Sequence, residues 1–79
     1  MSNPFEAIKT AKIVTKEMVA EAVAFIGGIA GDYEAAHCGE DDLYEYVLQA
    51  IAEDRCSSRT AIASEALKTR GLEFPRYCA

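Results

Sequence analysis

Apolar residues recur along this chain with the spacing of an α-helix rather than the alternation of a β-strand. From Thr15 to Asp42 they are separated alternately by four and three residues, which places them on one helical face. These positions are Val19, Val23, Ile26, Ala30, Tyr33 and His37. Thr15 is a suitable N-cap, because its hydroxyl group can accept a hydrogen bond from a backbone N–H of the first turn. The pattern therefore predicts a long central helix over residues 15–42.

Three glycines, Gly27, Gly28 and Gly31, interrupt this stretch. Each of them costs a helix interior about 1 kcal/mol relative to alanine. Either the helix continues, straight or kinked, or it stops near Ile26 and restarts near Asp32. The unbroken apolar spacing favours the continuous helix. Its three glycines would then present a flat face to a second helix, and we predict a homodimer contact there.

A short helix is predicted before the central helix, and another follows it. The dipeptide Asn3-Pro4 combines a good N-cap with a residue whose missing N–H costs nothing in the first turn. Gly39 is predicted to end the central helix in a left-handed conformation. Asp41 or Asp42 then begins the third helix, since Asp42 and Glu45 have the spacing of a capping box.

A fourth helix is predicted from Arg59 to Thr69, with Ser57 or Ser58 as its N-cap and Gly71 as its C-cap. The apolar tail, residues 72–79, is expected to lie back across the bundle. The predicted core consists of Val19, Val23, Ile26, Leu43, Val47, Ile51, Ile62 and Leu67. We therefore predict an all-α fold, a three- to four-helix bundle with a long, continuous or kinked central helix, in a single domain over residues 1–79.

The net charge of −5 is unevenly distributed along the 79 residues. Residues 17–54 contain ten acidic residues and no lysine or arginine, whereas residues 1–16 sum to +2 and residues 55–79 to +3. An acidic middle segment repels a phosphate backbone and attracts a basic protein surface. Direct binding of nucleic acid is therefore not expected. A core of this size is also marginal, which supports the predicted homodimer.

Cysteine usage and hydropathy indicate an intracellular protein. Cys38, Cys56 and Cys78 are odd in number and form no CxxC pair, which is typical of reduced thiols. The N-terminus lacks the apolar segment of a signal peptide. The apolar run over residues 18–30 is interrupted by Glu21 and is too short to cross a bilayer. We expect a cytoplasmic protein that does not bind membranes.

Metal binding and catalysis find little support in the sequence. Glu34 and His37 have the Glu-x-x-His spacing of di-iron bundles, but the chain has one histidine, and two such motifs are needed. His37, Cys38, Cys56 and Cys78 are acceptable zinc ligands without chelating spacing. A catalytic Cys–His pair would lack an orienting acid, and no phosphate-binding loop is present. We expect no catalytic residue, no metal and no cofactor.

The densest charge, in residues 39–42, has two interpretations. The acids cap a helix and suit its dipole, or they bind a partner. Tyr44 and Tyr46 are two positions apart, so both cannot face inward, and we expect one of them to be exposed beside the acids. The predicted partner-binding surface consists of Glu34, Glu40, Asp41, Asp42, Tyr44, Glu45 and Tyr46.

Two segments, HCGEDDLYEYVLQAIAEDR and EALKTRGLEFPRYCA, resemble small uncharacterised proteins encoded by phages and prophages. The resemblance covers roughly the second half of the chain and implies no catalytic residue. It implies a class of small, acidic proteins that block a host defence complex, such as anti-CRISPR proteins. We therefore expect an inhibitor that binds a basic, nucleic-acid-binding surface in the host bacterial cytoplasm. The alternatives are an accessory or structural phage protein and a metal-binding protein that uses Glu34 and His37.

Overall fold

The computed structural model describes residues 3–75. Within that range the chain forms four α-helices: α1 (Pro4–Thr10), α2 (Lys16–Gly28), α3 (Tyr33–Ala52) and α4 (Arg59–Ala66). A 3-10 helix, Leu67–Gly71, continues directly from α4. The predicted all-α bundle is confirmed.

The N-caps of the first two helices are those predicted. The Asn3 side chain accepts a hydrogen bond from the Glu6 backbone N–H at 2.8 Å, and Pro4 occupies the first turn. The Thr15 hydroxyl group accepts one from the Met18 N–H at 3.3 Å. Each bond satisfies a backbone donor that the helix itself leaves without a partner.

The prediction of one central helix over residues 15–42 is wrong, and the alternative of a stop and restart is correct. Helix α2 ends at Gly28, and a turn leads to Asp32, whose side chain accepts a hydrogen bond from the Ala35 N–H at 3.2 Å and caps α3. Three glycines weaken the helix where Asp32 offers a new start. The apolar spacing does not follow one buried face across the break, since Tyr33 is 40% exposed and the core face of α3 includes Ala36 and Leu43 instead.

The predicted break at Gly39 is also wrong, since Gly39 lies inside α3 and is buried. A Cβ atom added at Gly39 would lie 3.4 Å from both Ile26 Cγ1 and Phe5 Cζ. The missing side chain therefore lets α1 and α2 approach α3 closely. Asp42 and Glu45 consequently lie in the middle of a helix and form no capping box.

The buried core contains five of the eight predicted residues, namely Val19, Ile26, Leu43, Val47 and Ile62. Val23 and Ile51 are half-buried against it. Leu67 is 58% exposed, so its assignment to the core is wrong. The chain enters a 3-10 helix at Leu67, where residues three apart share a face, and Thr69 is therefore buried below Ala66 while Leu67 points outward.

Three hydrogen bonds connect two of the links between helices. The Val14 N–H donates to the Arg55 carbonyl at 2.7 Å, and the Ser57 N–H donates to the Val14 carbonyl at 3.0 Å. The Arg55 guanidinium donates to the Ala11 carbonyl at 2.6 Å, just beyond the end of α1. These bonds join the α1–α2 link to the α3–α4 link.

After the α3–α4 link, the chain forms α4, the 3-10 helix and the described part of the tail. Ser58 is the N-cap of α4 and accepts a hydrogen bond from the Ala61 N–H at 3.2 Å, as predicted. Gly71 ends the 3-10 helix, and no glycine among residues 3–75 has a positive φ, so the left-handed conformation predicted at Gly39 is wrong. Phe74 is buried in the core, so the tail folds back up to residue 75. The rest of the predicted tail, residues 76–79 with Cys78, lies outside the described residues.

Candidate protein-binding surface on helix α3

The side of α3 that faces away from the core carries four exposed carboxylates. Glu34, Asp41 and Glu45 are seven and four residues apart, so they follow one stripe along the helix, and Asp42 lies beside them. All four are exposed. We call Glu34, Asp41, Asp42 and Glu45 the acidic face. It includes four of the seven residues that the sequence predicted for partner binding.

Folding does not account for the charge of the acidic face. Asp41, Asp42 and Glu45 lie in the middle of a 20-residue helix, beyond the first turn in which the helix dipole favours acids. Asp41 and Glu45 are four residues apart and repel each other. Within residues 3–75, no lysine or arginine forms an ion pair with these acids, and the contact present is from His37 Nε2 to Asp41 Oδ2 at 3.7 Å.

Glu40 does not belong to this surface. It is 4% exposed and makes an interaction within the fold. Its inclusion followed from the predicted break at Gly39. In an uninterrupted helix, Glu40 is four residues after the buried Ala36 and three before the buried Leu43, and it therefore shares their face.

Tyr44 and Tyr46 lie on opposite flanks of α3. Both are half-buried, so the expectation that one of them is exposed beside the acids is wrong. The Tyr44 hydroxyl group is hydrogen-bonded to the Thr69 hydroxyl group on the 3-10 helix. The Tyr46 ring lies below Lys9, whose Nζ is 5.9 Å from the ring centroid. Both tyrosines therefore join α3 to neighbouring elements.

The three glycines do not form the flat helix face that was predicted for a dimer. Gly27 is covered by Leu72, whose Cδ2 would lie 3.4 Å from an added Cβ atom. Gly28 ends α2, and Gly31 lies in the turn beyond it. The contact through one continuous helix face is therefore wrong, while the homodimer itself stays a prediction.

An apolar groove between α3 and α4 was not anticipated from the sequence. Its volume is about 290 Å³, and it is lined by Tyr44, Val47, Leu48, Ile51, Ala63, Ala66 and Leu67. Leu48 is 66% exposed on the α3 side of this groove. The small side chains of Ala63 and Ala66 leave the depression, and the turn into the 3-10 helix places Leu67 on its rim. We call this feature the α3–α4 groove.

The residues considered for metal binding are not assembled into a site. Within residues 3–75, no group of three or more His, Cys, Asp or Glu side chains is placed to hold a metal ion. Glu34 and Cys38 are exposed, His37 contacts Asp41, and Cys56 is half-buried in the link to α4. Cys78 lies outside the described residues.

Comparison with protein-family models, with curated proteins and with solved structures found no match to this chain. The resemblance to phage-encoded proteins therefore stays a prediction. No helix among the described residues is both long and apolar enough to cross a membrane. Function must be inferred from the surface itself.

Proposed function

We propose that this protein is an interaction module whose acidic face binds a basic protein surface. The observation that carries the proposal is the position of Asp41, Asp42 and Glu45 in the middle of α3, where they cap nothing and form no ion pair with a lysine or arginine among residues 3–75. Like charges held together on one helix face destabilise the free protein slightly. A basic partner relieves that repulsion.

The finer proposal is that the partner is a nucleic-acid-binding surface of a host defence complex, such as a CRISPR–Cas complex, and that binding inhibits it. A surface that binds nucleic acid is rich in lysine and arginine. An acidic helix face is complementary to it, so it is steered to that surface and excludes the nucleic acid. The support is this charge complementarity, the small size of the chain and the resemblance of its second half to phage-encoded proteins.

Interference assays in bacteria that carry an active CRISPR–Cas system test both levels of the proposal. The parent protein should restore phage plaques. The triple variant Asp41→Lys, Asp42→Lys, Glu45→Lys should lose this effect, because the acidic face becomes basic and repels a basic partner. It should still fold, because all three side chains are exposed and their replacement leaves the core intact. The matched control Glu6→Lys, Glu21→Lys, Glu73→Lys changes the net charge equally at exposed positions outside α3 and should behave as the parent does.

Two outcomes contradict the proposal at different levels. If both triple variants inhibit as well as the parent, the acidic face is a solvated surface without a role in binding. If the parent protein inhibits none of the systems tested, the inhibitory role is wrong. An accessory role in the phage particle would then account for the protein better.

A further inference from the structure

The α3–α4 groove has the chemistry of a site for apolar side chains. Its lining is apolar except for the Tyr44 hydroxyl group, which is hydrogen-bonded to Thr69. Small-molecule sites usually orient their ligands through several polar groups and range from about 300 to 1,000 Å³. This groove, at about 290 Å³, is at the lower limit of that range and offers no further polar side chain.

Two leucines stand exposed on its opposite rims. Leu48 on α3 is 66% exposed, and Leu67 at the start of the 3-10 helix is 58% exposed. Covering their apolar surface with a partner would stabilise the complex, because apolar surface is removed from water. The depression between them, with Ala63 and Ala66 in its lining, provides space for side chains from that partner.

The acidic face adjoins the groove along the α3 rim. Glu45 precedes Leu48 by three residues and Asp41 precedes it by seven, so all three share one side of the helix. Lys68, which follows Leu67 in the chain, is paired with Glu65, and its Nζ is 3.0 Å from Glu65 Oε1. An occupant of the groove therefore meets apolar surface in the middle and negative charge along α3.

We infer that the α3–α4 groove binds the apolar face of an amphipathic helix that carries lysine or arginine along the edge next to α3. A groove between two helices is a common binding site for an amphipathic helix, whose apolar residues recur every three or four positions. A second copy of this chain is the poorer occupant, because it would bring two acidic faces close together. The inference rests on the proposed function, since it describes the part of the basic partner that enters the groove.

Titration with three synthetic peptides, followed by fluorescence anisotropy, tests this inference. The first contains leucine and lysine with the leucines three and four residues apart, the second has the same composition in scrambled order, and the third contains lysine and polar residues only. The double variant Leu48→Gln, Leu67→Gln should weaken binding of the first peptide by about tenfold or more. It should leave the third peptide unaffected, because both leucines lie outside the acidic face.

The matched control is Ile13→Gln, which removes another exposed apolar side chain outside the groove. It should bind the first peptide as the parent does. Equal loss in the control and the double variant, or equal binding of the ordered and scrambled peptides, would overturn the inference. A dimer in sedimentation equilibrium that is abolished by Leu48→Gln, Leu67→Gln would also overturn it, because the occupant would then be a second copy.

The proposed function fails or survives separately. If the third peptide binds the parent protein but not the variant Asp41→Lys, Asp42→Lys, Glu45→Lys, the acidic face is a docking surface. This conclusion holds even if the groove variant has no effect on any peptide. If none of the lysine peptides binds the parent protein, both the proposed function and the groove inference are wrong.

Discussion

The hydroxyl groups of Tyr44 and Thr69 are hydrogen-bonded to each other and join the middle of α3 to the 3-10 helix that follows α4. Thr69 is fully buried, and Tyr44 lines the α3–α4 groove. The shape of the groove therefore depends on where this bond holds the 3-10 helix. It also means that Tyr44, predicted as a partner-binding residue, has a structural role.

Removing the Tyr44 hydroxyl group should destabilise the protein without unfolding it. Tyr44→Phe loses one hydrogen bond, and we expect the free energy of unfolding to fall by about 1 kcal/mol. Tyr46→Phe is the control, because the Tyr46 hydroxyl group makes no hydrogen bond within residues 3–75 and should be nearly neutral. Urea denaturation measures the free energy of unfolding of both variants. Equal stability of the two variants would show that the Tyr44–Thr69 bond contributes nothing.

The glycine inside α3 should be less tolerant of substitution than the glycine at the end of α2. Gly39→Leu places a side chain toward Ile26 and Phe5, and overpacking of this kind typically costs about 1–3 kcal/mol. Gly28→Ala meets nothing within 4 Å and should stabilise by about 0.5–1 kcal/mol through the loss of unfolded-state entropy. The midpoint temperature of thermal unfolding should therefore fall in Gly39→Leu and rise in Gly28→Ala. A stabilised Gly39→Leu would contradict the close approach of α1 and α2 at Gly39.

Arg55 should contribute more to stability than the other arginine near the α3–α4 link. Arg55→Ala leaves the Ala11 carbonyl without its charged donor, and such bonds are worth about 1.5–3 kcal/mol. Arg59→Ala removes an exposed contact in which Nη1 is 4.0 Å from Asp54 Oδ1, and it should change the free energy of unfolding by less than about 0.5 kcal/mol. Chemical denaturation distinguishes them. If Arg55→Ala left the free energy of unfolding unchanged, the hydrogen bond from Arg55 to Ala11 would not stabilise the fold.

The Glu53–Arg55 pair predicts a small dependence of stability on pH. The hydrogen bond from Arg55 Nε, at 2.6 Å, lowers the pKa of the Glu53 carboxyl group below its usual range, and one from Gln49 acts in the same direction. A lowered pKa stabilises the folded protein above the unfolded-state pKa, near pH 4, and this stabilisation is lost as the pH falls through the folded-state pKa. Glu53→Gln should therefore reduce the acid dependence of stability below about pH 4.

The double variant provides the control for this pH effect. In an Arg55→Ala background, Glu53→Gln should alter the slope of stability against pH much less, because the principal cause of the lowered pKa is gone and the hydrogen bond from Gln49 remains. An unchanged effect of Glu53→Gln in that background would assign the dependence to other groups.

Helix starts were predictable from sequence because they depend on single side chains. Asn3, Thr15 and Ser58 each accept the hydrogen bond from a backbone N–H that their residue type predicts. Asp32 had the same signal, but the continuous apolar spacing around it pointed the other way. Periodicity indicates the buried face within one helix, but it does not reveal a break between two helices, and Tyr33, which continued the spacing beyond that break, is 40% exposed.

Glycines misled the prediction, because their role depends on tertiary neighbours. Gly39 has the appearance of a C-cap in the sequence, yet it is needed inside α3 where Ile26 and Phe5 approach. That error moved the predicted start of the third helix to Asp42 and turned the buried Glu40 outward. The acidic face was otherwise identifiable from charge alone, whereas the α3–α4 groove depends on the 3-10 geometry at Leu67, which has no clear signal in the sequence.

The most direct measurement of the central claim is an NMR titration of the labelled protein with the polar lysine peptide, repeated at several salt concentrations. The backbone amides of α3 between Glu34 and Leu48 should shift, with the largest changes around Asp41 and Glu45. Affinity should fall steeply with added salt, because exposed charges are screened. Shifts confined to α1 and α2, or an affinity that does not change with salt, would contradict the acidic face of α3 as the docking surface.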